Sequence, residues 1–117
     1  MKQIQKYNET KWIKLRETAL KRDKYIDQIE KRYGKVKEAE VVHHIFPVEQ
    51  YPEYQYCLWN LISITRATHN KMHIRDSQEL TRLGYDLMER VARKQGIKIP
   101  PYVEKEKKRS RRDSFYY

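Results

Sequence analysis

Three short stretches, Val42-His43-His44-Ile45-Phe46-Pro47, Trp59-Asn60-Leu61-Ile62-Ser63-Ile64 and Thr68-His69-Asn70-Lys71-Met72-His73, contain all four histidines of the chain. The first belongs to a β-branched and aromatic run, Glu40 to Phe46, closed by Pro47, which predicts a strand. Residues 48–56 are turn-rich and predict a loop, with one helical turn after Pro52. Trp59 to Ile64 predicts a second strand, and Thr65 to His73, free of glycine and proline, predicts a helix. Strand, loop, strand and helix in succession make a compact ββα unit, and the predicted fold class is α+β.

The flanks predict further helices. Trp12, Leu15, Ala19 and Leu20 share one helical face between Glu9 and Arg22. Lys11, Lys14, Lys21 and Arg22 lie off that stripe, which fits a solvated face and a phosphate-contacting face equally well. Residues 23–37 predict an irregular connection, with Gly34 as a turn or helix stop. A last helix is predicted to begin at Asp76-Ser77, with Asp76 and Glu79 as a capping box and Leu80, Leu83, Leu87 and Val91 as the apolar stripe. Gly96 is its predicted stop. Residues 1–96 then form one domain with its ββα core at about 38–75, and 97–117 form a basic, flexible tail.

Composition narrows the function. With 26 basic and 16 acidic residues among 117, the net charge is +10, which favours an anionic partner, nucleic acid first. Only three glycines are present, and they are scattered, so no Gly-rich phosphate loop can be built. Cys57 is the single cysteine, which excludes an internal disulfide and a Cys₄ zinc site. No apolar run approaches the ~18 residues of a membrane helix. Met1-Lys2-Gln3-Ile4-Gln5-Lys6 has no apolar h-region, so no signal peptide and a cytoplasmic location are expected.

His69 and His73 are four apart, a spacing that places two imidazoles on one helical face and can hold one metal ion. Adjacent His43 and His44 face opposite ways on a regular strand, so serving one site together requires the strand to end or distort near them.

Taken together, His43-His44 at a strand end, Asn60 sixteen residues on, then His69 and His73, resemble the HNH nuclease motif, the ββα-metal or His-Me finger. The pattern is similar to that of small free-standing HNH endonucleases of bacteriophages, and the doubled first histidine and His-x-x-x-His ending also resemble the colicin DNases. The resemblance spans about Tyr7 to Arg75, including the lead-in Lys11-Trp12-Ile13-Lys14-Leu15-Arg16.

The resemblance implies His44 as general base, Asn60 as the residue that ties the inter-strand loop and orients that base, and His43, His69 and His73 as ligands of one divalent cation. Three imidazoles favour Zn, Ni, Co or Mn over Mg. It also implies DNA as substrate, phage packaging proteins as a further partner, a bacterial host cytoplasm, and products with 5′-phosphate and 3′-hydroxyl ends. Arg66, Lys71 and Arg75 near the helix are candidate phosphate contacts. In one respect the chain departs from the pattern. Where many phage relatives carry two Cys-x-x-Cys pairs on a structural zinc, it has Asp27 and Glu30, then Thr65 and Thr68. No structural zinc is expected, and packing of Trp12, Leu15, Ile62, Ile64, Met72, Leu80, Leu83 and Leu87 must hold the scaffold.

Two other readings stay open: a non-cleaving nucleic-acid- or protein-binding module on the same scaffold, and a purely structural zinc site made from the four histidines. Monomer and dimer are both compatible with the chain.

Overall fold

In the computed structural model the described residues are 7–75, 77 and 79–99. The predicted capping residue Asp76 and nearly all of the basic tail lie outside them. The chain divides into two compact units, one ending at Thr68 and the other beginning at His69.

In the first unit, helix α1 covers Glu9–Arg22, the span its apolar stripe predicts. Asn8 caps it, its side chain accepting a hydrogen bond from Lys11 N, which satisfies one of the helix's unpaired N–H groups. Ala19 and Leu20 are buried, while Trp12 and Leu15 are half-buried. The helix ends where Lys24 and Tyr25 both take left-handed conformations, φ 56° and 57°. Tyr25 N closes the end by donating to Leu20 O at 2.9 Å. A short helix, α2 (Gln28–Arg32), follows where an irregular connection was expected. Its cap is Asp27, whose carboxylate accepts from the N–H groups of both Ile29 and Glu30. A five-residue helix is too short to be read from periodicity.

Strands β1 (Val41–His44) and β2 (Leu61–Ile64) pair antiparallel, with Val41 opposite Ile64 and His44 opposite Leu61. Both are shorter than predicted. Trp59 and Asn60 belong instead to a 3-10 turn, Leu58–Asn60, and a second such turn at Pro52–Tyr54 matches the helical turn expected after Pro52. All four residues of β2 are buried, and both α1 and α2 pack against the strand. Phe46 is fully buried and packs edge-on against Tyr51, Tyr54 and Trp59 at 5.0, 5.4 and 5.8 Å.

Two charged staples supplement this small core. Arg22 and Asp23 form an ion pair at 2.8 Å. Arg22 also donates to the carbonyls of Leu58 and Leu61, and Asp23 accepts from Ser63 N, so the end of α1 is tied to β2. Asp27 is completely buried and accepts from Thr65 N at 2.7 Å as well as from α2. Burial by itself would raise its pKa. The donors from Thr65 N, Glu30 N and the Thr68 and Thr65 hydroxyls outweigh burial and hold the carboxyl below the usual aspartate range.

Helix α3 (Arg66–Asn70) starts directly after β2. Thr65 Oγ1 caps it by accepting from Thr68 N at 3.0 Å. The predicted helix was to reach His73, but Met72 N turns back to His69 O at 3.0 Å and the chain leaves the helix. In the second unit His73 pairs with Leu80 in an antiparallel bridge, flanked by bonds from Ile74 N to Glu79 O and from Thr81 N to Met72 O.

That bridge overturns the predicted start of the last helix. Leu80 is engaged with His73, and α4 runs Arg82–Gln95 with Thr81 as its cap. The buried face of α4 is Gly84, Tyr85, Leu87, Met88 and Ala92, while Leu83 and Val91 are half-buried. Gly96 ends it in the left-handed conformation at φ 68°, as expected. Among the described residues no helix is long and apolar enough to cross a membrane.

Gly84 has a packing role. A Cβ there would stand 2.8 Å from Met72 O and 3.1 Å from Leu80 Cβ, both on the bridge that carries His73. Gly84→Ala is therefore expected to destabilise the protein by about 1–3 kcal/mol, despite the better helix propensity of alanine. A denaturant titration checks this, and an unchanged or raised midpoint would contradict the close approach. Asp27→Asn exchanges a carboxylate facing several donors for an amide and should cost about 2 kcal/mol or more. Because the folded pKa of Asp27 is depressed, its contribution is fully present above the unfolded value and fades as pH falls through the folded one. The stability difference between wild type and Asp27→Asn should then shrink below about pH 4, as melting temperatures at stepped pH would register.

Candidate metal centre

His43 and His44 are the last two residues of β1, and the strand ends there, as a shared role for the two requires. His43 is buried, at 3% exposure, opposite Ile62. His69 is half-buried near the end of α3, and His73 is half-buried in the bridge with Leu80. The His69 and His73 rings meet edge to face with centroids 5.3 Å apart. They meet because the chain doubles back after α3, and not because the two residues share a helical face.

One ring nitrogen each from His43, His69 and His73 falls within a set whose members all lie within 4.8 Å of one another. Two nitrogens bound to one ion at 2.0–2.1 Å stand at most about 4.2 Å apart, so the three are close enough together to be a candidate ligand set. The donor chemistry fits a metal. Three neutral imidazoles form a nitrogen-rich site for a first-row divalent cation and leave coordination positions for other ligands. These are the three residues that the motif implies as ligands.

His44 has a separate environment. Its ring stacks on Trp12 of α1, centroids 5.0 Å apart and planes 20° from parallel. Its Nε2 lies 3.0 Å from Gln55 O. A carbonyl can only accept, so Nε2 carries the proton and Nδ1 is the unprotonated, basic nitrogen of the neutral ring. Burial lowers the pKa of His44 from the usual histidine value, against the opposing effect of the Gln55 carbonyl, and so favours the neutral form.

Asn60 is fully buried and makes three bonds. Its Oδ1 accepts from Phe46 N at 2.7 Å, and its Nδ2 donates to Phe46 O at 3.1 Å and Tyr54 O at 3.2 Å. The amide thus clamps both ends of the loop between the strands. Tyr54 precedes Gln55, so the clamp also fixes the carbonyl that orients His44.

Arg66, Lys71 and Arg75 are exposed. Arg66 N donates to Glu40 Oε1, and Lys71 O accepts from the Thr81 hydroxyl. Two members of the His44 environment escaped the sequence. Trp12 read as a core residue, since periodicity marks it apolar without saying what it covers. Gln55 acts through its main chain, which leaves no side-chain signature.

No family model, curated protein or solved structure matches the chain.

If the three histidines form the ligand set, the purified protein should bind one divalent cation per chain by titration calorimetry. Losing a group that merely hydrogen-bonds a metal ligand costs ~10–100-fold in affinity, and His69→Ala and His73→Ala should each cost more. His44→Ala should leave the affinity close to that of wild type. Equal binding by all variants would exclude this centre.

Proposed function

We propose that the protein is a metal-dependent endonuclease of the HNH type that hydrolyses phosphodiester bonds in DNA. The observation that carries this reading is the separation of roles among four histidines: three gathered as a candidate ligand set, and a fourth held by a carbonyl and a stacked indole with its Nδ1 unprotonated. A structural zinc site would have no use for an oriented histidine outside the ligand set. The net charge of +10 suits a polyanionic substrate.

His44 Nδ1 takes a proton from the attacking water as the new P–O bond forms and the bond to the 3′-oxygen breaks. The Gln55 carbonyl fixes the tautomer, Trp12 fixes the plane of the ring, and Asn60 holds the loop that presents Gln55. His43, His69 and His73 would hold the cation. When bound, the cation supplies charge neutralisation at the phosphoryl group and the departing 3′-oxygen. Arg66, Lys71 and Arg75 offer positive charge to flanking phosphates. With a single site per chain, one copy nicks, and double-strand cleavage requires a second copy or a second event.

The test is plasmid relaxation by wild type and His44→Ala across Mg, Mn, Co, Ni and Zn, with an EDTA control. Cation-dependent nicking by wild type is expected, reduced about 10²-fold or more in His44→Ala. Absence of cleavage with every cation, together with retained DNA binding, would replace this reading with that of a binding module on the same scaffold.

A further inference from the structure

Residues 31–37, Lys31-Arg32-Tyr33-Gly34-Lys35-Val36-Lys37, play no part in the histidine site. All seven are exposed. Tyr33 and Val36, at 71% and 79%, are the most exposed large hydrophobic side chains among the described residues. Four of the seven residues are basic and none is acidic; the flanking carboxylates in the chain are Glu30, half-buried in α2, and Glu38 at the foot of the loop.

The loop has a defined backbone. At its foot Ile26 and Glu38 form an antiparallel bridge, with Asp27 N donating to Lys37 O at 2.8 Å and Ala39 N to Tyr25 O at 2.7 Å. One arm is α2, capped by the buried Asp27. At the tip Gly34, at φ 76°, turns the chain, and Gly34 N and Lys35 N close back on Lys31 O and Glu30 O. Such a backbone keeps its shape when a ligand arrives, so an exposed aromatic ring among lysines is presented at little entropic cost.

We propose that this loop docks on single-stranded nucleic acid, with Tyr33 stacking on an unpaired base and Lys35 and Lys37 contacting the adjacent phosphates. A tyrosine face beside mobile ammonium groups is the chemistry that binds a strand without reading its sequence. A protein partner would call for acidic side chains opposite the lysines, but the ring would then gain only apolar contact. An unpaired base matches both features. The inference rests on the nucleic-acid half of the proposed function and not on turnover.

Fluorescence anisotropy with a labelled, mixed-sequence single-stranded DNA of about 12 nucleotides, in EDTA, tests it. Tyr33→Ala should weaken binding about fivefold or more, and Tyr33→Phe, which keeps the ring, should restore it. Lys35→Gln with Lys37→Gln should reduce the slope of log K against log salt by about 1.4, two phosphate contacts on a single strand. These side chains are at the surface, and circular dichroism confirms that each variant is folded. No binding by wild type, loss of the Tyr33 effect, or an unchanged salt slope overturns the inference. Binding that responds to these changes in a protein that never cleaves would leave the loop assigned while the endonuclease reading fails. Cleavage by wild type with every loop variant unaffected would do the reverse.

Discussion

The buried amide of Asn60 holds the loop that orients His44. Three main-chain groups, Phe46 N, Phe46 O and Tyr54 O, find their partners on this one side chain. Away from water the two Phe46 groups would otherwise each carry a desolvation cost of about 1–3 kcal/mol, while Tyr54 O, which also accepts from Cys57 N, gains a second donor. No other residue type offers an acceptor and two donors in that plane except glutamine, which is one methylene longer. The clamp holds the aromatic group around Phe46 in register with the end of β1, and through Tyr54 it sets the Gln55 carbonyl against His44.

A small hydrophobic core makes such polar clamps necessary elsewhere. Asp27, Thr65 and Thr68 share one buried hydrogen-bonded network. The carboxylate links the start of α2 to the start of α3, so a charge satisfied by several donors joins elements that the sheet alone would leave apart. Arg22 and Asp23 do the same between α1 and β2. Neither network is visible in apolar periodicity, because each works by satisfying main-chain groups far away in sequence.

The segment between α3 and α4 shows where local pattern loses to tertiary pairing. Residues 65–73 have acceptable helix propensity, and Asp76 and Glu79 have capping-box spacing. Yet Thr81 and the bare Gly84 let α4 approach Met72 closely, and Leu80 pairs with His73. Propensity differences of a few tenths of a kcal/mol per residue do not outweigh that packing. The consequence for the site is direct, since His73 meets His69 across a turn.

Period, cap and breaker residues act over a few positions, and for that reason much could be read along the chain. The α+β class, the extent of α1, the strand-loop-strand-helix order and the stop at Gly96 were all legible in this way, whereas the grouping of His43, His69 and His73 was implied only by the resemblance of the motif. The early end of α3, the late start of α4, the short α2, and the pairing of His44 with Trp12 and the Gln55 carbonyl were settled in three dimensions. Those outcomes depend on hydrogen bonds and close approaches between residues distant in the chain, whose energies no local pattern contains.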